Sequence, residues 1–325
     1  MTEAAIDYVN GFRKENMENS IIIIRQLILL FALMLAGYYS FKKGWVTHKG
    51  SAQISSMIVK IFNPALIIAS TAGSEYKPEG DLIITNLILV AIFFGSLIFL
   101  APIAARILRV EQKNRMLFRI MFTFCNLGFM GIPLVSGLFG EEQIFFVTWY
   151  ILGFNFLFYS YGIFTFDKMT GKSSSFKPAK MFNSGVIACL IAFLLFLLPV
   201  NLPVIAVDSL AYVADLCVPL SMLVTGFALA QADLKMVFSD VKMYFYVAIK
   251  MIALPIAIAV IIKLVGGTLD PVITGIMILM YGMPNASLPI IVCEEYDIES
   301  EMLSSGYALS TILCIITLPL VTYFI

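Results

Sequence analysis

Long uncharged stretches separated by short polar segments dominate the pattern of hydrophobic and polar positions in this chain. Six stretches contain no Asp, Glu, Lys or Arg over a bilayer-spanning length: 82–105, 120–140, 143–166, 181–207, 271–293 and 302–325. A helix needs about 20 apolar residues to cross the hydrocarbon core of a membrane. The pattern therefore predicts transmembrane helices.

Less uniform stretches complete a set of ten predicted helices, which we number segments 1 to 10. They cover residues 20–40, 50–73, 81–105, 114–139, 142–165, 181–199, 206–232, 239–263, 271–293 and 300–325. The predicted fold is an all-α integral membrane protein with short loops. Residues 1–19 are polar and lack the basic start and apolar run of a cleavable signal, so we expect a short surface helix or arm.

Composition agrees with this class, since 60% of the residues are hydrophobic and 13% are charged. The single histidine and the five cysteines have no metal-ligand or disulfide spacing, so we expect packing residues, with no metal or other cofactor. They are His48, Cys125, Cys189, Cys217, Cys293 and Cys314. No glycine-rich phosphate loop followed by Lys and Ser or Thr is present, which excludes nucleotide-driven transport. We expect no nucleic-acid partner.

The placement of the basic residues predicts an orientation. Thirteen cations lie in loops on one side of the predicted helices: Lys42, Lys43, Lys49, Arg106, Arg109, Lys113, Arg115, Lys168, Lys172, Lys177, Lys180, Lys235 and Lys242. Four lie on the other side: Arg13, Lys14, Lys77 and Lys263. Because cytoplasmic loops are enriched in Lys and Arg, both termini are predicted to lie outside the cell membrane.

The prolines suggest an internal repeat. Three prolines recur at offsets of 155, 153 and 156, and an acidic pair recurs at an offset of 153: Pro64 with Pro219, Pro102 with Pro255, Pro133 with Pro289, and Glu141–Glu142 with Glu294–Glu295. Five helices per unit is an odd number, so the second copy enters the membrane from the opposite face. We therefore predict repeats at 20–166 and 181–325 joined by a cytoplasmic linker, 167–180. Chance spacing is the alternative.

Segments 4 and 9 are the most interrupted helices and occupy equivalent places in the two repeats. They contain "CNLGFMGIPLVSGLFG" and "YGMPNASLPIIV". Broken backbone at membrane depth is tolerated where it is buried in protein or lines a cavity, which predicts an anion site at free half-helix N-termini. Pro133 and Pro289 are expected at the first position of the second half-helices. Kinks that relieve packing strain are the alternative reading.

The candidate substrate-binding residues come from these two breaks and from segment 2. They are Asn63, Asn126, Gly128, Gly131, Pro133, Pro284, Asn285, Ser287 and Pro289.

These two motifs resemble the auxin efflux carrier family, which includes plant auxin exporters and bacterial transporters assigned to malate or malonate. The resemblance implies that segments 4 and 9 cross as extended peptides, that Asn126 contacts a carboxylate substrate, and that the protein dimerises. It also implies a scaffold of segments 1, 2, 6 and 7 beside a moving domain of segments 3–5 and 8–10. This chain lacks the long hydrophilic loop of the plant members. Those members carry glutamine in place of Asn285. The resemblance therefore does not decide whether this chain takes an indole substrate.

Two charged residues lie near the middle of predicted helices at the repeat offset of 155, Lys60 and Asp215. An isolated charge at that depth is costly, so the two are expected to pair or to face water. A structural ion pair between scaffold helices is the favoured interpretation. Alternatively, Lys60 attracts the anionic substrate and Asp215 accepts a coupling proton.

The sequence as a whole predicts a secondary transporter or uniporter of small organic anions. A sodium or proton antiporter of similar shape would need acidic residues in the breaks, where none occurs. An intramembrane enzyme would need a nucleophile and base or a metal cluster at matched depth. A sensor that binds the anion without moving it stays open, as do the identity of the anion and coupling to protons, sodium or membrane potential.

Overall fold

The computed structural model describes residues 3–72, 78–170, 184–198, 202–265, 269–296, 298–299 and 301–323. These residues are almost entirely helical, and the described part contains no β-structure beyond one isolated bridge. We number the helices in chain order: α1 Glu3–Lys42, α2 His48–Ala69, α3 Gly80–Ile107, α4 Arg115–Thr123, α5 Leu127–Phe139, α6 Glu141–Thr170, α7 Ser184–Leu197, α8 Val204–Gln231, α9 Val241–Leu264, α10 Pro271–Tyr281, α11 Leu288–Tyr296 and α12 Glu301–Thr322. A six-residue helix, Leu234–Ser239, precedes α9.

Among the described residues, seven helices are long and apolar enough to cross a membrane, namely α1 from Ile21, α2, α3, α6, α8, α9 and α12. Helices α5, α7 and α10 are shorter and also apolar. Each predicted segment overlaps at least one helix: α4 and α5 together occupy segment 4, and α10 and α11 occupy segment 9. Helix α1 starts at Glu3 and continues without a break through the predicted arm. Most of the predicted linker, 171–180, lies outside the described residues.

Aspartates in the loops begin two of the helices. The Asp270 carboxylate accepts hydrogen bonds from the N–H groups of Val272 and Ile273 at 2.9 and 3.0 Å at the start of α10. Asp240 does the same for Lys242 at 2.9 Å at the start of α9. A carboxylate at this position satisfies backbone donors that have no acceptor within the helix.

Prolines explain three of the four short π-helical turns among the described residues, the exception being Phe158–Gly162. Turns Ile58–Phe62, Leu127–Gly131 and Ile249–Ala253 end two residues before Pro64, Pro133 and Pro255, respectively. Proline lacks an N–H, and its ring collides with the carbonyl four residues earlier, which falls inside the turn in each case. The wider turn accommodates this carbonyl without ending the helix.

Helices α1 and α8 approach each other closely enough for their backbones to touch. A Cβ atom added to Gly226 would collide with the carbonyl oxygen of Met34, and one added to Gly37 would collide with that of Leu223. Glycine at such positions lets membrane helices pack by direct backbone contact. Helix α2 packs against α7 and α8. A second group of contacts joins α3 to α4, α6 and α10, and α12 to α9.

Large buried aromatic residues fill the space between the helices of this second group. The ring of Phe93 lies 5.4 Å from that of Tyr150 and 4.6 Å from that of Tyr281. Edge-to-face packing of this kind adds to the stabilisation from burial. The core thus lies directly beside the end of α10, where the second break begins.

Candidate functional site

The break between α4 and α5 and the break between α10 and α11 lie side by side as extended chains. A single antiparallel bridge joins them. The N–H of Asn126 donates to the carbonyl of Pro284 at 2.7 Å, and the N–H of Ala286 donates to the carbonyl of Phe124 at 3.1 Å. Backbone groups released by the two interruptions therefore satisfy each other, which buried backbone requires where water is absent.

Asn126 also begins helix α5. Its Oδ1 accepts a hydrogen bond from the N–H of Phe129 at 3.2 Å, which makes it the N-cap of the half-helix. The prediction for the prolines was wrong in detail. Helix α5 starts at Leu127, six residues before Pro133, and Pro289 is the second residue of α11. The N-cap and the π-turn, which the proline pattern does not reveal, set the start of α5.

A cavity of about 140 Å³ adjoins the paired breaks. Four of the predicted site residues line it: Asn63, Asn126, Gly128 and Ser287. Its other walls come from α2, α6, α7 and α8, including Ser55, Ile151, Phe154, Asn155, Gly185 and Val224. None of the residues that line this cavity carries a formal charge.

Several hydrogen-bonding groups at the cavity lack partners within the described residues. The backbone N–H groups of Gly128, Ser287 and Leu288 donate no hydrogen bond there, and neither does the side-chain amide of Asn126. The Oδ1 of Asn63 is buried without a partner. Four free donors therefore border one small cavity, and they belong to the first turns and caps of α5 and α11.

The other predicted site residues do not line the cavity. Gly131 packs against the side chain of Met280. The carbonyl of Pro133 accepts a hydrogen bond from Gln26 at 3.2 Å. Pro284 and Pro289 are buried and shape the second break.

Asn285 lies in a buried polar cluster away from the cavity lining. Its Oδ1 accepts a hydrogen bond from the hydroxyl of Tyr246, and its N–H donates to the hydroxyl of Ser310 at 3.1 Å. The same tyrosine hydroxyl contacts the carbonyl of Met121 at 3.1 Å. The side-chain nitrogen of Asn285 is buried without a partner. This cluster ties the second break to α4, α9 and α12.

Lys250 is a functional candidate that the sequence reasoning missed. Its side chain is 0% exposed, and its Nζ donates to the carbonyl of Tyr281 at 3.0 Å. The hydroxyl of Tyr281 in turn contacts the Oγ of Ser96. The sequence does contain a sign of its importance. Lys250 is the single charge in the otherwise uncharged run 243–262, and it lies five residues before Pro255. The sequence analysis singled out Lys60 and Asp215 on the same ground, but not Lys250.

Lys60 and Asp215 do not form the predicted ion pair. Both side chains are exposed, and among the described residues their charged groups lie farther apart than the 4.0 Å of an ion pair. Lys60 lies in the first π-turn, and Asp215 lies in a turn within α8. Neither charge is enclosed by protein, so the two residues are not a buried pair between helices.

Comparison with known proteins shows which family the chain belongs to. The family model described as "Membrane transport protein" matches residues 22–179 and 174–322. The chain belongs to this family, the auxin efflux carrier family. The predicted resemblance is thereby confirmed, and this transporter is an integral membrane protein.

Relatives of the transporter extend over nearly its whole length. An uncharacterized transporter from Methanothermobacter thermautotrophicus is 24% identical over 302 residues, which cover 90% of this chain and 95% of the relative. An uncharacterized transporter from Methanocaldococcus jannaschii is 22% identical over 303 residues, with 90% and 96% coverage. The paired breaks of the transporter thus lie within a region shared with both relatives.

Proposed function

We propose that this transporter is a secondary carrier or uniporter of small organic anions, with carboxylates such as malate, malonate or auxin-like acids as substrates. The observation that carries the proposal is the convergence of two half-helix N-termini on one cavity. Residues 127–129 of α5 and Ser287 and Leu288 at the start of α11 line the same space. Helix N-termini with free N–H groups bind anions without a cationic side chain in contact.

The size of the cavity fits a small acid. A water molecule takes about 30 Å³ in the liquid, so the cavity of about 140 Å³ has room for roughly five water-sized groups. The lining is uncharged, so neutral polar groups, including the free N–H groups and the Asn126 amide, recognise the acid. Apolar walls from Ile151 and Phe154 suit the carbon skeleton of an organic acid.

Alternating access is the transport mechanism that the proposal includes. In it, the chain forms ten transmembrane helices in an inverted 5+5 repeat, and the paired breaks are the crossover of helices 4 and 9. Helices α1, α2, α7 and α8 form the scaffold and a homodimer contact, and the remaining helices move against them. The cavity suits this arrangement because residues of the proposed scaffold helices α2, α7 and α8 line it together with residues of the breaks and of α6.

The proposed orientation places both termini outside. Glu79 and Glu111 are exposed residues beyond the two ends of α3. A single cysteine in place of Glu111 is expected to react with reagents that reach the cytoplasm, and one in place of Glu79 with impermeant reagents outside intact cells. The reverse labelling pattern would place the termini inside.

Ligand binding and counterflow test the function. The purified transporter is screened by thermal shift against a panel of mono- and dicarboxylates, and the best ligand is then used for counterflow in proteoliposomes. Gly128→Val adds a side chain inside the cavity, where a Cβ meets no atom within 4 Å, so we expect a folded protein that neither binds nor transports the acid. Gly95→Val, in an equally open position on α3, is the matched control.

The alternatives give different results in the same experiments. A sensor would bind the acid without counterflow. A cation-coupled transporter of another solute on this fold would show no stabilisation by any carboxylate, and its transport would require sodium or a proton gradient.

A further inference from the structure

The side chain of Lys250 is buried, and it is not among the residues that line the anion cavity. Among the described residues, its Nζ donates one hydrogen bond, to the carbonyl of Tyr281 at 3.0 Å. No Asp or Glu among the described residues lies within 4.0 Å of this ammonium group. Burying a cation without an acidic partner is costly, and such residues inside membrane proteins mark functional sites by default.

The ammonium group lies beside the C-terminal ends of both first half-helices. Tyr281 is the last residue of α10. The ring of Phe122, the penultimate residue of α4, has its centroid 6.0 Å from Nζ. Helix C-termini carry partial negative charge from unpaired carbonyls, and an aromatic face also attracts a cation. Both neighbours of Lys250 therefore favour positive charge.

The proposed anion cavity lies at the opposite helix ends. It borders the N-terminal turns of α5 and α11, whereas Lys250 contacts the ends of α4 and α10. The two environments meet at the paired breaks, because Pro284, three residues after Tyr281, accepts the N–H of Asn126. In carriers with discontinuous helices, carbonyl-rich half-helix C-termini are where coupled cations bind.

We propose that the ammonium group of Lys250 takes the place of a coupled cation at the paired breaks. It neutralises the carbonyl ends of α4 and α10, and its fixed charge favours an anion in the adjoining cavity. The inference rests on the proposed function and adds that transport needs no sodium. Lys250 is a positioning residue, since it touches backbone and aromatic groups and not the substrate.

A ligand series of constant shape and varied charge tests this role. Malonamide, malonamate and malonate carry zero, one and two negative charges. Lys250→Met is expected to weaken malonamate binding about tenfold and malonate binding about a hundredfold, because a Coulomb interaction scales with the charge of the ligand. Malonamide binding should change by less than about twofold, since the fixed charge does not act on a neutral ligand. Calorimetry or competition on purified protein gives the three affinities.

Lys60→Met is the matched control, because Lys60 also lies in a π-turn before a proline but is exposed. It is expected to change all three affinities by less than about twofold, because Lys60 does not line the cavity and does not contact the paired breaks. Lys250→Arg should retain the charge dependence, and Lys250→Gln, which keeps an N–H for the Tyr281 carbonyl, should lose it. If the methionine variant does not fold, these two variants show whether the charge at position 250 favours an anion in the cavity.

Three outcomes would overturn the inference. One is an equal loss of affinity for all three ligands in Lys250→Met, which would indicate a structural role alone. Another is wild-type transport that rises when sodium replaces choline. The third is a Lys250→Gln variant that keeps the charge dependence of the wild type, and the carboxylate panel tests the proposed function independently.

Discussion

The backbone N–H of Asn126 donates to the carbonyl of Pro284 at 2.7 Å, and this bond joins the two interrupted helices at their breaks. The side chain of the same residue caps α5 through the N–H of Phe129. Asn126 therefore holds the break in shape with its backbone and its Oδ1, and its amide NH₂ group remains for a ligand. A residue predicted only as a substrate contact is also a structural one.

Substitution of Asn126 separates these two roles. Asn126→Asp keeps an acceptor for the cap but removes the NH₂ donor and adds a carboxyl group beside the cavity. We expect near-normal thermal stability with loss of carboxylate binding. Asn126→Ala loses both roles, and removing an N-cap costs about 0.5–2 kcal/mol of stability. Unfolding curves and calorimetry check both variants. Wild-type affinity in Asn126→Asp would place the anion elsewhere.

The contact between α1 and α8 predicts a large effect of one methyl group. Gly226→Ala places a Cβ against the carbonyl oxygen of Met34, a backbone atom that cannot rotate away. The helices must separate, so we expect a loss of about 1–3 kcal/mol, as for overpacking of a core. Thermal unfolding in detergent measures the change. Gly95→Ala, with no atom within 4 Å of the added Cβ, should unfold like the wild type.

Lys60 and Asp215 should behave independently. Because the two exposed side chains form no ion pair, the effects of Lys60→Met and Asp215→Leu on stability are expected to add within about 0.5 kcal/mol in the double variant. A double-mutant cycle on unfolding free energies measures the coupling. A double variant much more stable than the sum predicts would restore the ion pair as a structural feature.

The sequence predicted the positions of the helices and breaks because both are local properties. Uncharged length fixes a spanning helix, and glycine and proline mark an interruption. The contact between the breaks is not local, since the pattern around Pro133 and Pro289 does not show which residues face each other. Asn126 and Asn285 looked equivalent in sequence, yet one lines the cavity and the other lies in a buried cluster.

The predicted ion pair between Lys60 and Asp215 is absent for a related reason. Lys60 and Lys250 both interrupt apolar runs, and depth along a helix does not distinguish an exposed face from a buried one. Only the packing of α9 against α10 and α12 reveals that Lys250 is enclosed. The sequence shows one lysine in an uncharged run, but it does not show that this lysine is buried.

Two fully buried tyrosines provide a last test of what holds the second break. The hydroxyl of Tyr246 donates toward Asn285 and Met121, whereas the hydroxyl of Tyr150 is buried without a partner among the described residues. Tyr246→Phe leaves the buried Oδ1 of Asn285 unsatisfied, so we expect a loss of about 1–3 kcal/mol. Tyr150→Phe removes a hydroxyl that makes no hydrogen bond there, and its stability should equal or exceed that of the wild type.

Tyr246 and Tyr150 are the same residue type and both are fully buried. A change in unfolding free energy that comes only from removing a hydroxyl group therefore cancels when the two variants are compared. Unfolding free energies of both variants provide the measurement, and carboxylate affinity in Tyr246→Phe shows whether the cluster also shapes the cavity. Because Asn285 lies one residue from Ala286, which lines the cavity, a shift of the break should weaken binding as well as stability. Equal stability of the two variants would contradict the role of Tyr246, and the second break would then be held by its backbone pairing with residues 124–126 and by the bond from the Asn285 N–H to Ser310.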